Sequence, residues 1–597
     1  MSSGRARLAA ALCVLGLAIA ALAALAPRAE AAGGDQQWVA RYDGPGHGDD
    51  GGASVAISPD GKRAYVTGTS AGTLATGQDY ATIAYDVATG AQLWVARYDF
   101  RIPGSAADRA GVLALSRDGS TVYVSGESGN EPKITTIAYN AATGAQVWVA
   151  RSNFPDRPRG IAVSGDGTRV FVLGSVGRHN YDTLAYDAAT GAQLWTARYD
   201  GAANRDDYPS AIGVSPDGTR VYVTGTSQES SRPKVVAATT VAYAAATGAQ
   251  VWVDHFTDDG TSGGYSLAVS PDGERVYVTG GSGFKHFTTI AYNAASGTRA
   301  WSTIDTAVAG TGGLITTSPD GKRVYAAGPI AGMAANTGDF GTLAYDAATG
   351  ARLWTSRYAG AGIGSNGVSG LAVNPNGAQV YVTGTNVGSG SAQDYATVAY
   401  RATDGSQAWA ARYNGPANLS DYAGGMDVSP DGSRLILTGS VDQVRSDFAT
   451  IAYDTGTKVA TGPAPLAVPL DVRPDQCPNR LKIGSAEDLS VAIAGAPGLD
   501  VRQIDPASLR LKGLAPRSSS LTDVTTPYRP YTGRTRPSQC INPGPDGTRD
   551  LSFKFAGSSL AKALGPHAAG DVVVLHVTGK LKDGTRIAGE DVVTMTR

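Results

Sequence analysis

The sequence predicts an all-β chain: an eight-bladed β-propeller closed by its N-terminal strand, followed by a small β-sandwich domain. Three observations carry this. Eight tryptophans recur 47 to 57 residues apart, at Trp38, Trp94, Trp148, Trp195, Trp252, Trp301, Trp354 and Trp409. A Ser-Pro-Asp-Gly turn or a close variant recurs in step with them. Both signals stop before residue 460, where a different β-rich pattern begins. A repeat near fifty residues with four strands per unit is the size of a propeller blade. Composition agrees: 78 of 597 residues are glycine and only 17% are charged, which suits turn-rich β-structure.

The first 31 residues read as an export signal. Arg5 and Arg7 precede a run of Ala, Leu, Ile and Val over residues 8–26, and Ala29-Glu30-Ala31 has the form of a cleavage site. The alternative is a retained anchor, since the run approaches the length of a membrane span. No other run has that length, so the chain is expected to be secreted or extracellular, with no membrane span once the signal is cleaved. The formal charge is −2, without long blocks of either sign, which argues against nucleic acid as a partner.

The propeller is expected over residues 36–460. In each unit the first strand ends at a turn such as Ser58-Pro59-Asp60-Gly61. Proline pre-sets φ there, aspartate bonds the local backbone, and glycine accepts positive φ. Blades two, three and seven vary the turn with Arg117, Gly165 and Asn376. The second strand is of the type Arg220 to Gly225, the third of the type Tyr80 to Asp86, and a Thr-Gly turn leads into the tryptophan strand, such as Gln92 to Tyr98. Alternation along Tyr80–Tyr85 serves a sheet buried on both faces.

The ends of the series predict closure. The last third strand, Phe448–Asp454, has no tryptophan strand after it. The missing one stands at the start, as Gln36-Gln37-Trp38-Val39-Ala40-Arg41-Tyr42, with no partners before it. Pairing the two removes two sheet edges at once. An open solenoid capped by this strand is the alternative.

The junction of third and fourth strands reads Ala84-x-Asp86-x-x-x-Gly90-x-x-x-Trp94. It recurs through Ala185, Asp187, Gly191 and Trp195, and through Ala344, Asp346, Gly350 and Trp354. It resembles the tryptophan-docking motif of the pyrroloquinoline quinone (PQQ)-like propeller family of bacterial exported proteins. The resemblance implies that the tryptophans lie between neighbouring blades and that Asp86, Asp187 and Asp346 orient turns. Asn140, Asn293, Ala244 and Arg401 depart from the aspartate. The Ser-Pro-Asp-Gly turns resemble those of other bacterial exported propellers, which include binding proteins, assembly factors and enzymes, so fold alone does not give function.

Two functions follow as expectations. The first is a non-catalytic binding or scaffold module for an unidentified protein, glycan or small molecule. Rigid strands carrying variable linkers favour it, at Thr69–Asp79, Glu127–Lys133, Thr226–Ala237, Pro329–Asp339 and Thr385–Asp394. The second is a PQQ/Ca-dependent quinoprotein dehydrogenase. The resemblance implies that such an enzyme needs oxygen ligands for Ca²⁺ and a carboxylate base on the axis. Its alcohol dehydrogenases typically carry a disulfide between adjacent cysteines, and this repeat region has no cysteine. His47, His179, His255, His286, His567 and His576 form no ligand motif, and no catalytic residue is assigned. Asp49, Asp50, Asp206, Asp207, Asp258 and Asp259 precede first strands and are candidates to gather a cation.

The C-terminal domain is expected over residues 466–597, after a linker at Thr461-Gly462-Pro463-Ala464-Pro465. Strands are predicted at Val468–Val472, Leu489–Ile493, Leu509–Leu511, Leu551–Phe555, Val572–Val577 and Ile587–Val592, with a helical turn at Ser559–Leu564. Cys477 and Cys540 permit one disulfide in an exported chain, worth roughly 4 kcal/mol of loop-closure entropy; free thiols or a bond between chains are the alternatives. Leu470–Asn479, Ile504–Leu509, Asp546–Leu551 and Asp583–Asp591 resemble the motifs of a recurrent β-domain of bacterial secreted proteins, with Ser508 departing at one position. Asp546 and Asp550, with Asn542, are spaced loosely like a calcium turn, so calcium is a candidate ligand there.

Overall fold

The computed structural model describes residues 33–597, apart from 74–76, 101–106, 131–132, 177–179, 232–233, 259, 284, 332–337, 361–365, 389–391, 443–444, 458–465, 475, 497–498, 513, 528–530, 532–536, 538–543 and 565–566. The signal segment, Asn542, Cys540, His179 and Asp259 lie outside the described residues. The chain divides into two compact units, Met1–Val459 and Ala460–Arg597.

The first unit is a series of antiparallel four-stranded meanders. Its first sheet is Gly51–Ile57, Arg63–Ala71, Gln78–Asp86 and Gln92–Tyr98, hydrogen-bonded in that order. The turn chemistry makes the first hairpin. Asp60 Oδ1 accepts from the Ser58 hydroxyl at 2.5 Å and from Lys62 N–H at 3.1 Å, while Ser58 Oγ accepts from Arg63 N–H at 2.9 Å. Gly61 sits at φ 71°, where a side chain is disfavoured. Along the third strand Tyr80, Ala81, Thr82, Ile83, Ala84 and Tyr85 are all buried, because both faces of the sheet meet neighbours. First strands pack on the first strands of adjacent sheets, which makes them the innermost.

One departure from the simple repeat is a seven-stranded sheet. Gln146–Val163 runs as a single 18-residue strand. Its first part pairs with Lys133–Asn140 and its last part with Arg169–Val176, so it serves as outer strand of one blade and inner strand of the next. The tryptophan spacing here, 47 residues, is the shortest of the series, because the connection between blades has become strand.

The N-terminal strand Gln36–Tyr42 pairs antiparallel with Asp447–Asp454. Trp38, Ala40 and Tyr42 stand opposite Ala452, Thr450 and Phe448. Trp94, Ala96 and Tyr98 stand opposite Ala84, Thr82 and Tyr80 in the same register within the first blade. Ile436, Phe448 and Ala452 of the last blade share a hydrophobic cluster with Val55, Ile83 and Tyr85 of the first.

The linkers between second and third strands are shorter than the sequence reading placed them. Arg220–Ser231 pairs with Lys234–Ala244 down to Ser231 opposite Lys234, so most of Thr226–Ala237 is strand. Val235 and Val236, β-branched, continue the ladder there.

In the second unit two four-stranded paths enclose one core. The first is Leu466–Ala467, Arg586–Thr596, Val572–Leu581 and Ile504–Leu511, with Asn479–Lys482 joining Arg586–Thr596 in parallel. The second is Leu470–Val472, Leu489–Ile493, Asp550–Phe555 and Ser518–Thr522. Leu470, Val491, Leu509, Phe553, Leu575 and Val593 from both are buried together. Of the predicted strand Val468–Val472 only Leu470–Val472 is strand; Val468 and Pro469 separate it from Leu466–Ala467 on the other sheet, and proline has no N–H for a ladder. Asn479–Lys482 and the serine-rich Ser518–Thr522 were not legible as strands. The helix is Gly557–Leu564.

Candidate functional site

Two ends of the first unit differ in chemistry. At the turn end, tryptophans join blades. Trp94 Nε1 donates to the Ala141 carbonyl of the next blade at 3.1 Å, Trp148 to Ala188 at 3.0 Å, and Trp354 to Ala402 at 3.0 Å. Trp195, Trp252 and Trp301 do the same to Ala245, Ala294 and Ala347. Trp38 donates to Val87 at 3.0 Å and Trp409 to Thr455 at 3.2 Å. In four seams the same carbonyl also accepts a buried tyrosine hydroxyl, from Tyr65, Tyr123, Tyr222 or Tyr277. All eight tryptophans are therefore engaged between blades.

The variation in the docking motif has a hydrogen-bond explanation. Asp187 Oδ1 accepts from the N–H groups of Ala189 and Thr190 and from the Thr190 hydroxyl. Asn140 Oδ1 accepts the equivalent three from Ala142 and Thr143. An amide oxygen performs this task as well as a carboxylate. Where Arg401 stands instead, Asp404 accepts from Ser406 N–H and hydroxyl within the same turn.

The loop-bearing end is built on buried carboxylates. Asp50, Asp108, Asp207 and Asp421 each stand immediately before a first strand and are at most 2% exposed. Each accepts one N–H from the loop arriving from the preceding blade and one from the end of its own second strand. Asp50 takes Gly44 and Ala71 at 2.7 Å; Asp207 takes Gly201 at 2.7 Å and Gln228 at 3.2 Å. Asp108 takes Phe100 and Gly129, and Asp421 takes Gly415 and Asp442. Asp50 and Asp207, two of the candidates to gather a cation, thus also tie loops together. Asp108 and Asp421 were missed in the sequence, although an Asp or Asn twelve residues after the tryptophan marks Asp50, Asp207, Asn366 and Asp421.

Beneath these ties lies an Arg–Asp layer that the sequence reading also missed. Arg97 in the fourth strand meets Asp79 at 2.7 Å and donates to Ser70 Oγ and Tyr42 OH. Arg198 meets Asp182 at 2.7 Å, Arg412 meets Asp394 at 3.0 Å, and Arg357 meets Asp339. Their signal is an arginine three residues after the tryptophan. His255 replaces it in one blade and pairs with Glu229 at 3.1 Å.

Among the described residues, two carboxylate triples bring an oxygen each within 4.8 Å: Asp43, Asp50 and Asp447, and Asp79, Asp99 and Asp108. His47 is exposed beside Asp43, and no described histidine belongs to such a group. A quinone–calcium site on the axis would draw its ligands from the innermost strands. Among residues 51–57, 109–115, 157–163, 208–214, 262–269, 314–317, 367–373 and 422–428, Asp427 is the one carboxylate. Its oxygens accept from Ile57 N–H at 2.7 Å and Val428 N–H at 2.8 Å, tying the last blade to the first. These strands do not supply the oxygen set that calcium and a base require. In the second unit, Asp550 is buried and accepts N–H bonds from Gly495, Val524 and Thr525, while Asp546 Oδ1 accepts from Thr548 N–H.

The model of a family described as outer membrane protein assembly factor BamB, built of PQQ-like repeats, matches residues 132–284 and 285–456, more than half of the chain. The chain belongs to the PQQ-like β-propeller repeat family. No curated protein matches its sequence significantly. Among solved structures, BamB from Moraxella catarrhalis is 15% identical, with 70% of this chain and 97% of that chain covered and a TM-score of 0.41. The quinohemoprotein alcohol dehydrogenase ADHIIG from Pseudomonas putida HK5 is 15% identical, with 73% and 79% covered and a TM-score of 0.46. Sqt1 from Chaetomium thermophilum, bound to the N-terminus of ribosomal protein L10, is 14% identical, with 70% and 100% covered and a TM-score of 0.49. The likeness is one of fold alone. No helix among the described residues of this PQQ-like propeller protein is long and apolar enough to cross a membrane.

The loop-end carboxylates are expected to make the stability of the propeller depend on pH. Burial raises Asp108 from 3.8 to about 6, against the pull of the Phe100 and Gly129 N–H groups and with help from Asp99 and Asp79. Burial likewise raises Asp50, Asp207 and Asp421. A carboxyl raised on folding stabilises the fold below its unfolded value, and that stability is lost as the pH rises through the folded value. The turn-end Asp118 and Asp320 are lowered, chiefly by the hydroxyls of Ser116 and Ser318, so their contribution is lost only as acid protonates them, below 3.8. The propeller transition is therefore expected at higher temperature at pH 5 than at pH 7.5. Asp108 alone accounts for about 1.4 kcal/mol of that difference, the part of its shift that lies above pH 5. Calorimetry across this range checks it; a transition that falls from pH 7.5 to 5 contradicts it.

Proposed function

We propose that this protein is an exported, non-catalytic propeller, a closed ring of eight blades that acts as a binding or scaffold module through its loop-bearing end. The observation that carries the reading is the use of Asp50, Asp108, Asp207 and Asp421. Each of these carboxylates is engaged by two backbone donors and so serves to hold loops. They fix the bases of the loops and leave the tips to vary, which is how a rigid scaffold presents a recognition surface. The tryptophans are likewise committed to seams.

The test has two arms. Purified protein mixed with PQQ and Ca²⁺ is expected to show no dye-linked alcohol oxidation; turnover would replace this reading with the dehydrogenase. A photoreactive residue at Gln228, on the loop-end hairpin, is expected to give a discrete adduct in the native host, whereas one at Arg117, on the turn end, gives none. Equal adducts from both ends contradict the assignment of the surface.

In the second unit we propose a Cys477–Cys540 disulfide, with export to an oxidising compartment. Calcium at Asp546 and Asp550 is proposed alongside; a C-terminal melt unmoved by chelator removes it.

A further inference from the structure

The eighth seam differs from the other seven in one respect: the turn beneath its tryptophan is made of two separate pieces of chain. In the first blade Gly90 N–H donates to the Asp86 carbonyl at 2.8 Å, and Asp86 N–H to the Ala91 carbonyl at 2.9 Å. In the last blade Gly34 N–H donates to the Asp454 carbonyl at 2.7 Å, and Asp454 N–H to the Asp35 carbonyl at 2.9 Å. Gly34 therefore takes the place of Gly90, two residues before the strand in both cases. The fit against the indole is also the same. A Cβ on Gly90 would meet the ring of Trp38 at 2.6 Å, and a Cβ on Gly34 would meet the ring of Trp409 at 2.9 Å. Gly33 is tighter still, 2.6 Å from both the Trp409 ring and the Thr455 carbonyl that this indole donates to. Both glycines have positive φ, 80° and 85°.

The two pieces are held unequally. Besides its bonds to the incoming piece, the outgoing chain has anchors of its own. Thr455 is fully buried and its hydroxyl donates to the Gly432 carbonyl, while the Asn374 amide donates to Thr457 Oγ1 at 2.6 Å. The incoming strand has one ladder neighbour, Asp447–Asp454, and no hairpin joining it to that neighbour. A seven-residue strand with one partner is marginal by its backbone alone. Release of this strand exposes a complete edge with a shaped glycine seat.

We propose that this seam is an exchangeable strand-binding site, that Gly33-Gly34 is its recognition element, and that it accepts the N-terminal strand of a second copy of this chain. The inference rests on the closed-ring reading. Exchange of an identical element needs no new contact, so the second copy is the occupant the site already fits.

The experiment uses the full chain. Two differently tagged copies, incubated together, are expected to co-purify as mixed dimers, and a peptide of residues 33–43 in excess is expected to suppress them. The fluorescent form of that peptide is expected to be captured about tenfold more than the same peptide carrying G34A, equivalent to about 1.4 kcal/mol of steric and backbone penalty. A Gln37→Ala peptide, changed at an exposed position, is captured like the natural one. Equal capture of the G34A peptide overturns the role of the glycine. Absence of mixed dimers and of peptide capture overturns exchange. Hydrogen exchange over residues 36–42 of the untreated protein separates the two failures: protection with no capture leaves the ring closed and the exchange proposal wrong, while no protection removes the ring itself.

Discussion

Replacing Trp148 by alanine is expected to destabilise the propeller by about 3–5 kcal/mol, the range for emptying a large aromatic site in a packed interior. The indole is only 8% exposed and lies between Tyr123 and Tyr186, at ring-centroid distances of 5.8 and 6.4 Å. It seals the seam between two blades, so its loss opens a void lined by both. Gly191 packs so closely that a Cβ there would stand 2.6 Å from the ring, and the backbone cannot collapse into the gap without breaking that turn. A Trp148→Phe variant separates packing from the bond to Ala188: it keeps most of the apolar area and loses one buried donor, for about 1 kcal/mol. Urea unfolding followed by a propeller-specific probe measures both. An alanine variant within 1 kcal/mol of the parent contradicts the account of the tryptophans as clamps.

The second large effect is at the Arg–Asp layer. Asp339 has a side chain only 4% exposed and is paired with Arg357, whose side chain is one-third exposed. Removing the arginine leaves a carboxylate in a poorly solvated site, which in buried pairs destabilises by 3–5 kcal/mol. Partial exposure of the arginine brings the expectation for Arg357→Ala to about 2–3 kcal/mol. The sharper expectation concerns the pair. An Arg357→Leu/Asp339→Leu variant removes both charges and is expected to be more stable than Arg357→Ala alone, because no carboxylate is stranded. Chemical denaturation of the two variants decides it. Equal stability of the single variant and the parent means the pair is a surface ornament.

The contrast between these two features shows what the sequence made legible. Tryptophans and Ser-Pro-Asp-Gly turns repeat because each blade needs the same seam and the same tight reversal, so their periodicity exposed the repeat and its strand order. The drift at Asn140, Asn293 and Arg401 leaves an oxygen acceptor in each turn, by an amide or by Asp404. The loop-end ties were harder to read. Asp50 and Asp207 stand beside Asp49 and Asp206, and adjacency alone does not reveal that one acid of each pair is buried against backbone donors. Asp108, without an acidic neighbour, drew no notice although it occupies the same place. The Arg–Asp layer was hidden because its partners lie on different strands, about eighteen residues apart in the chain. In the second unit, Ser518-Ser519-Ser520-Leu521-Thr522 failed to register as a strand because four of its five residues are exposed, so alternation is lost.

We propose that residues 36–42 complete the last blade and so close the ring. Hydrogen–deuterium exchange of the full chain tests it most directly. The account predicts that amides of Val39 to Tyr42 exchange as slowly as those of Val95 to Tyr98, which occupy the same place inside a continuous blade. Exchange over residues 36–42 at the rate of an unstructured peptide, with Asp447–Asp454 behaving as an open edge, would contradict it.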